Sequence, residues 1–469
     1  MHIANWLFLP FYLFTLLLSV NYINTNGCVM NIRNFIYRYI DIESVKRRFQ
    51  KSIFLTSNKE TKSLSVKNML VNVLYAVKIL RNNFLLVALH TIKISYRNQM
   101  GMLTSFSVTN YKGFTRRIEW DLAHPSNYSF NAAAIREGIV KNGIIYGPNG
   151  AGKSNFGLAI FDIANHLSHK WKKPDYYLNY ACAGHQDLPV DFEYTFVLGG
   201  HTLLYNYSKV ALELKGNIVR EQLIVDGNEV LLKDKDVLNI ANEFGLTQTA
   251  IENLKESANN ISIVNYLLSS VPLPKGHALL LLRDFVENML FFRSLDNREF
   301  IGLKEGGSNI EEYIITHHLG DDFATYLKEV SGQDYEFAPS AQGDNVLYCL
   351  MDGVRIPFQW VASTGTKNLE LQYYWLKEMD NASFVFIDEF DAFYHHELSY
   401  KICKRLFEGS NQLFVTTHDT FLLSNDLLRP DCFFILRDNM IKAICDMTDK
   451  ELRFGHNLEK LYRGGTFGL

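Results

Sequence analysis

Cysteine is scarce in this sequence, and its few cysteines show no pairing pattern. The 469 residues include six cysteines, and no two of them form a C-x-x-C motif. Structural zinc sites and disulfide frameworks both need closely or regularly spaced cysteines. The sequence therefore predicts neither, and its scattered cysteines favour a reducing compartment. We expect a cytoplasmic protein.

Several other signals are missing as well. No G-x-S-x-G motif occurs, which argues against a serine hydrolase of the α/β type. The adjacent histidines at 317–318 and 395–396 lack the i, i+4 spacing of a helical metal pair, so we do not interpret them as metal ligands. Apolar heptads do not persist over three or four repeats, which argues against a long coiled coil.

Acidic residues are rare in the first hundred residues and abundant in the rest. Residues 1–101 contain 13 Lys and Arg and three acids, whereas residues 102–469 contain 34 basic and 47 acidic residues. A nucleic-acid groove needs clustered Lys and Arg. The acidic excess of residues 102–469 does not indicate such a groove, and the sequence leaves nucleic-acid binding open.

The basic first part differs in character from the remainder. Ile3 to Val20 is nearly all apolar, is uncharged, and is just long enough to span a membrane, although Pro10 interrupts it. We favour a true start at Met100 or Met102, with residues 1–101 being upstream sequence carried into the translation. A membrane anchor and another kind of N-terminal extension are the alternatives. For residues 102–469 we expect no membrane association.

The strongest pattern is a phosphate-binding loop in its required setting. An apolar strand ending at Tyr146 runs into G-x-x-x-x-G-K-S, and an apolar helix follows from Phe156. Such a loop turns consecutive backbone N–H groups inward at a helix N-terminus, where they bind phosphate. Lys153 is expected to reach the β- and γ-phosphates and Ser154 to ligate Mg²⁺. The predicted nucleotide-binding residues are Gly147, Pro148, Asn149, Gly150, Ala151, Gly152, Lys153, Ser154 and Asn155.

The remaining pattern predicts an α/β protein with an insertion at about residues 200–350. Residues 190–232 alternate between apolar and polar residues, with turn signals at Gly199-Gly200 and Asp226-Gly227, which predicts an antiparallel sheet. Residues 233–327 have a helical pattern, and residues 328–360 resemble short strands. A polar cluster that begins with Arg293 follows an apolar helix, and we interpret it as a solvated helix end.

Two apolar strands downstream end in polar residues. The run from Ser383 to Ile387 predicts a buried parallel strand, and it is followed by Asp388 and Glu389. After a phosphate loop, this pattern predicts Asp388 as a Mg²⁺ ligand and Glu389 as the group that polarises the attacking water. The strand that begins at Gln412 ends in Thr416-Thr417-His418, which places His418 to contact the γ-phosphate or that water.

A fourth element precedes another apolar helix. In Ser363-Thr-Gly-Thr-Lys-Asn, Ser363 is predicted to cap the helix, whose N-terminus would attract a phosphate. An ordinary capped helix has the same local sequence, so this segment alone does not decide between the two.

These four elements, in this order, resemble the ABC-type ATPases of the SMC and OLD clade, which include stand-alone ATPases with an AAA-type core. The segment with Ser363, Gly365 and Thr366 is similar to the signature motif of that clade. The run from Asp388 to Leu398 is similar to its D-E-…-L-H-P-E-L segment, with Tyr394 and His396 in place of Leu and Pro. The resemblance covers residues 102–469 and is weak in the insertion.

The resemblance implies a P-loop NTPase head with a mixed sheet, an antiparallel β subdomain and a helical insertion. It also implies an ATPase that uses ATP and Mg²⁺ and dimerises head to tail. Lys153, Ser154 and Asp388 of one head would then hold a nucleotide that Ser363, Gly365 and Thr366 of the other head close over. Glu389 would be the general base, and His418 the γ-phosphate sensor.

Three further residues receive weaker assignments from the resemblance. Gln186 is a guess for the polar residue of the Q-loop. Tyr111 and Lys112 lie where family members often approach the nucleotide, although tyrosines in such strands usually belong to the core.

The resemblance also bears on partners. Stand-alone bacterial members often serve in anti-phage or abortive-infection systems and control a nuclease or toxin effector, and we expect such a switch here. The alternatives are the nucleotide-binding subunit of a membrane transporter and a nucleotide-gated scaffold with little hydrolysis. The long separation of Lys153 from Ser363 and the missing signature glutamine argue against a transporter, and an intact Glu389 argues against the scaffold.

Overall fold

The computed structural model describes residues 21–23, 29–31, 101–169, 174–257, 261–293, 300–302, 310–338, 345–392 and 394–468. The chain divides into two compact units, Met1–Ser95 and Tyr96–Leu469. The described part of the first unit is an antiparallel strand pair, Asn21–Ile23 with Val29–Asn31. The apolar run 3–20 lies outside the described residues, and the domain boundary at residue 102 stays a prediction. In the described ranges, every helix is too short or too polar to cross a bilayer.

The strands and helices are numbered here in chain order. The strands are β1 Asn21–Ile23, β2 Val29–Asn31, β3 Met102–Thr109, β4 Ile118–Asp121, β5 Ile135–Arg136, β6 Ile139–Val140, β7 Asn142–Tyr146, β8 Val190–Leu198, β9 His201–Leu212, β10 Lys215–Val225, β11 Asn228–Asp234, β12 Val237–Ile240, β13 Leu290–Arg293, β14 Phe300–Gly302, β15 Phe337–Ala338, β16 Tyr348–Met351, β17 Val354–Pro357, β18 Phe384–Asp388, β19 Gln412–Thr416, β20 Phe433–Arg437 and β21 Met440–Ala443. The helices are α1 Lys153–Ile160, α2 Ala164–Leu167, α3 Gln248–Ser257, α4 Ile263–Ser270, α5 Ala278–Glu287, α6 Ile310–Thr316, α7 Gly320–Ser331, α8 Phe358–Val361, α9 Thr364–Glu378, α10 His396–Phe407 and α11 Leu458–Arg463.

A mixed sheet forms the centre of the second unit. Its strand order is β14-β13-β18-β19-β7-β20-β21. The five inner strands run parallel, whereas the two outer strands, β14 and β21, pair antiparallel. Every residue of β7, β18 and β19 is buried. Strands buried on both faces explain the nearly continuous apolar runs of the sequence.

A second sheet is antiparallel, with the order β12-β11-β10-β9-β8-β3-β4. Along β8 the buried and more exposed residues alternate, as they do in a strand with one face toward a core. The alternation predicted for residues 190–232 is therefore confirmed as a set of antiparallel strands. A small three-stranded sheet, β15-β16-β17, precedes α8 and α9 in the chain.

Aromatic side chains and one amide join the two large sheets. Trp120 of the antiparallel sheet contacts Phe414 and Phe434 of the mixed sheet, with ring centroids 4.5 and 5.4 Å apart. The buried amide of Gln412 donates to the carbonyl of Leu103 and accepts from the same residue's N–H, both at 2.9 Å. Since a buried amide without partners is costly, this pairing ties β19 of the mixed sheet to β3 of the antiparallel sheet.

The α/β fold class is confirmed, with two corrections in the insertion. The segment after Lys233 was expected to be helical, but β11 continues to Asp234 and β12 follows it. The apolar stretch from residue 279 also lies in the segment predicted to be helical, but α5 ends at Glu287 and β13 begins at Leu290. β13 joins the mixed sheet beside β18, so a long-range strand pairing overrides the local helical pattern.

A buried polar network fastens the segment after α1 to the antiparallel sheet. The Asp162 carboxylate is fully buried and accepts hydrogen bonds from Tyr176, Tyr180 and Tyr207, each at 2.8 Å. Lys209 of β9, also fully buried, forms an ion pair with the same carboxylate. This many donors stabilise a buried carboxylate. Loss of its cation would leave an uncompensated buried charge, which strongly destabilises the folded protein.

Disrupting the buried Asp162–Lys209 pair is expected to lower the free energy of unfolding much more than disrupting a surface ion pair. Lys209→Met leaves the carboxylate buried without a cation, so we expect a loss of about 3–5 kcal/mol in the free energy of unfolding. Arg405→Met is the matched control because Arg405 pairs with Glu329 at the surface, where both side chains are about half exposed. The control should lose no more than about 1 kcal/mol. Urea denaturation of the full chain measures both, and equal losses would contradict the role of the network.

Candidate functional site

The register of the parallel strands brings the predicted site residues to one edge of the mixed sheet. Asp388 ends β18, Thr416 ends β19, and the phosphate loop follows Tyr146 at the end of β7. β19 lies between β7 and β18, and Thr416 pairs with Ile145. Because these strands run in the same direction, the loop, the carboxylates and His418 all emerge at their carboxyl ends.

The phosphate loop has the backbone conformation of an anion cradle. Gly150 and Gly152 have φ values of +77° and +94°, which side chains on these residues would disfavour. At Gly152 an added Cβ would also lie 2.9 Å from the Phe114 ring. α1 begins at Lys153 with neither a side-chain cap nor an acidic residue in its first turn. Its N-terminal N–H groups are therefore available to an anion.

Lys153 is held inside the loop by internal partners. Its Nζ donates to the Gly147 carbonyl at 2.8 Å and lies 2.9 Å from His418 Nε2. Burial lowers the pKa of Lys153, while Asp388, Glu389 and Asp391 act in the opposite direction. The ammonium group thus lies between the loop that would hold phosphate and the acidic ends of β18.

Thr416 fixes both acidic residues at the end of β18. Its Oγ1 donates to Asp388 Oδ1 at 2.7 Å and accepts from the Glu389 N–H at 2.8 Å. Asp388 and Thr416 are buried. Glu389 has a φ of +51°, a left-handed conformation that is uncommon for a residue other than glycine. The surrounding hydrogen bonds therefore hold a strained residue in place, as is frequent at functional sites.

His418 lies at the exposed end of the segment after β19. Burial and the neighbouring Lys153 ammonium lower its pKa, while Asp391 and Asp388 act against this. Its Nε2 accepts from Lys153, because an ammonium group can only donate, and the lowered pKa favours the neutral imidazole that this contact requires. Asp391 is a third carboxyl on this side of the site, and burial raises its pKa.

Arg293 is a residue that our sequence interpretation misplaced. It is not at a solvated helix end but at the end of β13, where it pairs in register with Asp388. Its Nε lies 3.6 Å from Asp388 Oδ2. The signal that could have identified it is the short apolar run 289–292 before a cation, which is compatible with a buried strand.

The segment predicted to be the signature lies at the start of α9, and the predicted helix cap at Ser363 is confirmed. Ser363 caps the helix by accepting from the Thr366 N–H at 3.1 Å. The Thr366 hydroxyl also contacts Ser363 Oγ and donates to Gln333. In the described ranges, none of the hydrogen bonds found for these side chains reaches the phosphate loop, Asp388 or His418. The chain therefore does not bring its own signature residues to its own phosphate loop by direct bonding.

The remaining predicted residues are placed as follows. Gln186 lies in an exposed loop that Asn110 fastens through the carbonyls of His185, Leu188 and Pro189. Tyr111 is a core residue, because it is fully buried and its hydroxyl bonds to Tyr176. Half-buried Lys112 lies over the rings of Tyr111 and Tyr176. Residues 148–150 are exposed, and Ala151, Ser154 and Asn155 are half-buried.

The donor set fits a nucleotide with a divalent cation. Glycines with positive φ and the start of α1 suit phosphate oxygens, and Lys153 adds a cation beside them. Ser154 in the first turn of α1 and Asp388 at the end of β18 supply the hydroxyl and carboxylate oxygens that Mg²⁺ prefers. These residues would hold the metal, and α1 contacts β18 directly.

A family model matches part of the chain. Residues 250–424 are similar to the family described as "AAA domain, putative AbiEii toxin, Type IV TA system". The matched segment contains Ser363, Asp388, Glu389 and His418, whereas the phosphate loop precedes it. No curated protein matches the chain. The site and the family match together support an ATP-binding P-loop ATPase.

Solved structures of SMC head domains are similar to this chain at low identity. An SMC head bound to the C-winged helix domain of ScpA is 13% identical, with a TM-score of 0.37, and 73% of this chain and 96% of that chain are covered. The SMC head domain from Thermotoga maritima is 13% identical, with a TM-score of 0.33 and coverages of 72% and 97%. The Pyrococcus furiosus Smc head with an extended coiled coil, bound to the C-terminal domain of ScpA, is 12% identical, with a TM-score of 0.36 and coverages of 74% and 96%.

The contact between Lys153 and His418 predicts a change in a measurable pKa. Lys153→Met removes the neighbouring cation, so the pKa of His418 should rise toward its ordinary value of about 6.5. NMR titration of the histidine-labelled full chain measures it, with the His418 signal assigned from its loss in His418→Gln. His396 is the internal control. Its pKa is raised mainly by Asp419, so it should not change when Lys153 is replaced. An unchanged His418 titration would contradict the contact.

Proposed function

We propose that this protein is a switch that binds and hydrolyses ATP, and that two copies close around ATP–Mg²⁺ to control a partner effector. The observation that carries the proposal is the meeting of Lys153, Asp388, Glu389 and His418 at one sheet edge. Each group has a distinct part in phosphoryl transfer to water, and that combination has no evident use in an ordinary structural site.

Binding begins with the phosphate loop. Its N–H groups and the start of α1 would receive the phosphate oxygens, and Lys153 would exchange the Gly147 carbonyl for the β- and γ-phosphates. Bound Mg²⁺ would supply positive charge against the phosphate oxygens. Burial lowers the pKa of Lys153. A phosphate dianion nearby would act in the opposite direction and favour the charged form of the lysine.

Hydrolysis then depends on Glu389 and its support. Glu389 would take a proton from the attacking water as the water oxygen bonds to the γ-phosphorus. The bond between the γ-phosphorus and its bridging oxygen breaks, and ADP and inorganic phosphate leave. Thr416 holds the Glu389 backbone and the Asp388 carboxylate, so one hydroxyl fixes the relation between base and metal ligand. A neutral His418 would donate or accept a hydrogen bond at the γ-phosphate side.

The closure by a second copy is supported by the placement of the signature. Ser363 is exposed at the start of α9, a helix of 15 residues with no acidic residue in its first turn. Such an N-terminus attracts phosphate. We place the exposed Ser363 and the half-buried Gly365 against the nucleotide of the other copy, while Thr366, which is buried and bonds to Ser363 and Gln333, would support that turn from behind.

The effector and its setting form the outermost part of the proposal. The sequence resembles stand-alone ATPases of anti-phage systems, and the matched family is described as a putative AbiEii toxin of a Type IV TA system. We therefore propose that the ATP-bound pair engages a nuclease or toxin partner in defence against phage.

The proposal predicts that binding and turnover separate in one variant. Glu389→Gln keeps the loop and Asp388 but removes the base, so ATP hydrolysis should fall roughly 100-fold or more while ATP still binds. The bound form should also double in mass by light scattering with ATP–Mg²⁺. Lys153→Ala should bind no nucleotide. The matched control is Glu397→Gln, which makes the same change of charge at an exposed residue shortly after Glu389 in the chain. This variant should hydrolyse ATP normally.

Two outcomes of this experiment count against the proposal. If Glu389→Gln hydrolyses ATP like the unaltered chain, the base is misassigned. If the unaltered chain binds ATP but shows no turnover above that of Glu389→Gln, the protein is a nucleotide-gated scaffold instead.

A further inference from the structure

His396, the first residue of α10, contacts the segment that carries His418. Its Nδ1 lies 2.8 Å from Asp419 Oδ1. The His396 side chain is 73% exposed, whereas that of Asp419 is 5% exposed, so the imidazole meets a buried carboxylate from the solvent side. Asp419 directly follows His418 in the chain. This contact therefore ties the helix after β18 to the segment after β19, one residue away from His418.

Further hydrogen bonds hold Asp419 at its N–H, its carbonyl and its carboxylate. The N–H donates to Thr417 Oγ1 at 2.8 Å, and the carbonyl accepts from the Tyr146 hydroxyl at 3.3 Å. The carboxylate accepts from the Phe421 N–H at 3.0 Å. Because His418 shares a peptide bond with Asp419, these bonds orient the backbone that presents the His418 ring.

The charged groups that act on His396 are mainly carboxylates. The hydrogen bond to Asp419 and the charge of that residue raise the pKa of His396, and Asp391 and Glu459 add smaller effects in the same direction, against the effect of burial. Arg463 pairs with Glu459 at 2.8 Å and offsets part of its charge. These surroundings therefore favour the imidazolium form of His396.

We propose that His396 is a positioning residue for ATP hydrolysis: in its protonated form it holds Asp419, and through Asp419 it keeps the neighbouring His418 in place for turnover. The inference rests on the proposed function and deepens it, because His396 regulates the same site. A neutral imidazole keeps one donor but loses the charge, and a hydrogen bond with ionised partners is about twice as strong as a neutral one. Turnover is therefore supported best while His396 carries its second proton.

The direction of the pH dependence follows from the raised pKa of His396. The charged contact is fully present below the ordinary value of about 6.5 and is lost as the pH rises through the raised pKa. Burial lowers the pKa of both His418 and Lys153, and their titrations also affect turnover. Each variant is therefore compared with the unaltered chain at the same pH, so that these shared effects cancel.

The experiment measures kcat and KM for hydrolysis of ATP–Mg²⁺ by the full chain between about pH 6 and about pH 9. His396→Gln keeps a neutral donor and removes the charge. At the lower pH its kcat should be roughly 3- to 10-fold below that of the unaltered chain, with KM within about twofold. At the higher pH the two should agree within about twofold, because the unaltered His396 is then neutral as well.

Two further variants separate the charged contact from general damage. His396→Lys keeps a positive charge over the whole range, so it should match the unaltered chain at the lower pH and exceed its kcat roughly threefold or more at the higher pH. His201→Gln is the matched control, because His201 Nδ1 lies 2.7 Å from Asp226 Oδ2 in a surface pair of the same kind. Its kcat should follow that of the unaltered chain at every pH.

The outcomes distinguish this inference from the function on which it rests. A ratio of kcat between His396→Gln and the unaltered chain that stays constant across the pH range would overturn the positioning role. An equal loss in His396→Lys and His396→Gln at the lower pH would overturn it too. Absence of ATP hydrolysis by the unaltered chain at every pH would instead overturn the proposed function.

Discussion

The parallel register of four strands is the constraint on which the site depends. Arg293 pairs with Asp388, and Thr416 pairs with Ile145, so the ends of β13, β18, β19 and β7 meet along one edge. The Thr416 hydroxyl converts this alignment into a fixed geometry, because it bonds both Asp388 and the Glu389 backbone. A slip of one residue in β19 would turn that hydroxyl to the opposite face of the sheet and separate the two acids from the phosphate loop.

The antiparallel sheet supports this edge from a distance. The segment after α1 carries Asp162, whose carboxylate is bound by Lys209 and tyrosines. The network continues from His166 through Tyr205 to Glu221, which accepts from Ser262, the cap of α4. The polar groups named here all have buried partners, so their hydrogen bonds fix the geometry of this contact between sheet and helices. The segment that follows α1 is thus connected to the helical insertion through bonded side chains.

Much of the site could be predicted because its signals are local. The phosphate loop, the strand before Asp388 and the cap at Ser363 are each contained in about a dozen consecutive residues, and each has a physical reason for its residue types. Arg293 could not be placed in this way. Its strand is four residues long, directly follows an amphipathic helix, and finds its partner β18 almost a hundred residues later in the chain. Periodicity cannot distinguish so short an apolar run from the end of a helix.

Contacts between segments were also beyond sequence reasoning. The Lys153–His418 bond and the two bonds of Thr416 join residues that are distant in the chain. Residue type indicated that His418 follows a strand, but only the strand order places it beside the lysine. The left-handed conformation of Glu389 is likewise a result of the surrounding bonds and not of its own preference.

The measurement that tests the account most directly is the ATP hydrolysis of mixed variants. Lys153→Ala removes the phosphate-loop cation, and Gly365→Glu adds a negative charge to the signature, where a new Cβ meets only Ser363 Oγ at 3.7 Å. Each variant alone should be inactive. In a mixture, the loop of one and the signature of the other form one intact site per mixed pair, so about a quarter of normal turnover should return.

A matched mixture gives the control. Lys153→Ala with Glu389→Gln cannot form an intact site, because the copy that keeps its phosphate loop lacks the base, and it should stay inactive. Recovery in the first mixture alone is the result that the account predicts. Failure of the first mixture to recover, or normal turnover by Gly365→Glu alone, would contradict a site shared between two copies.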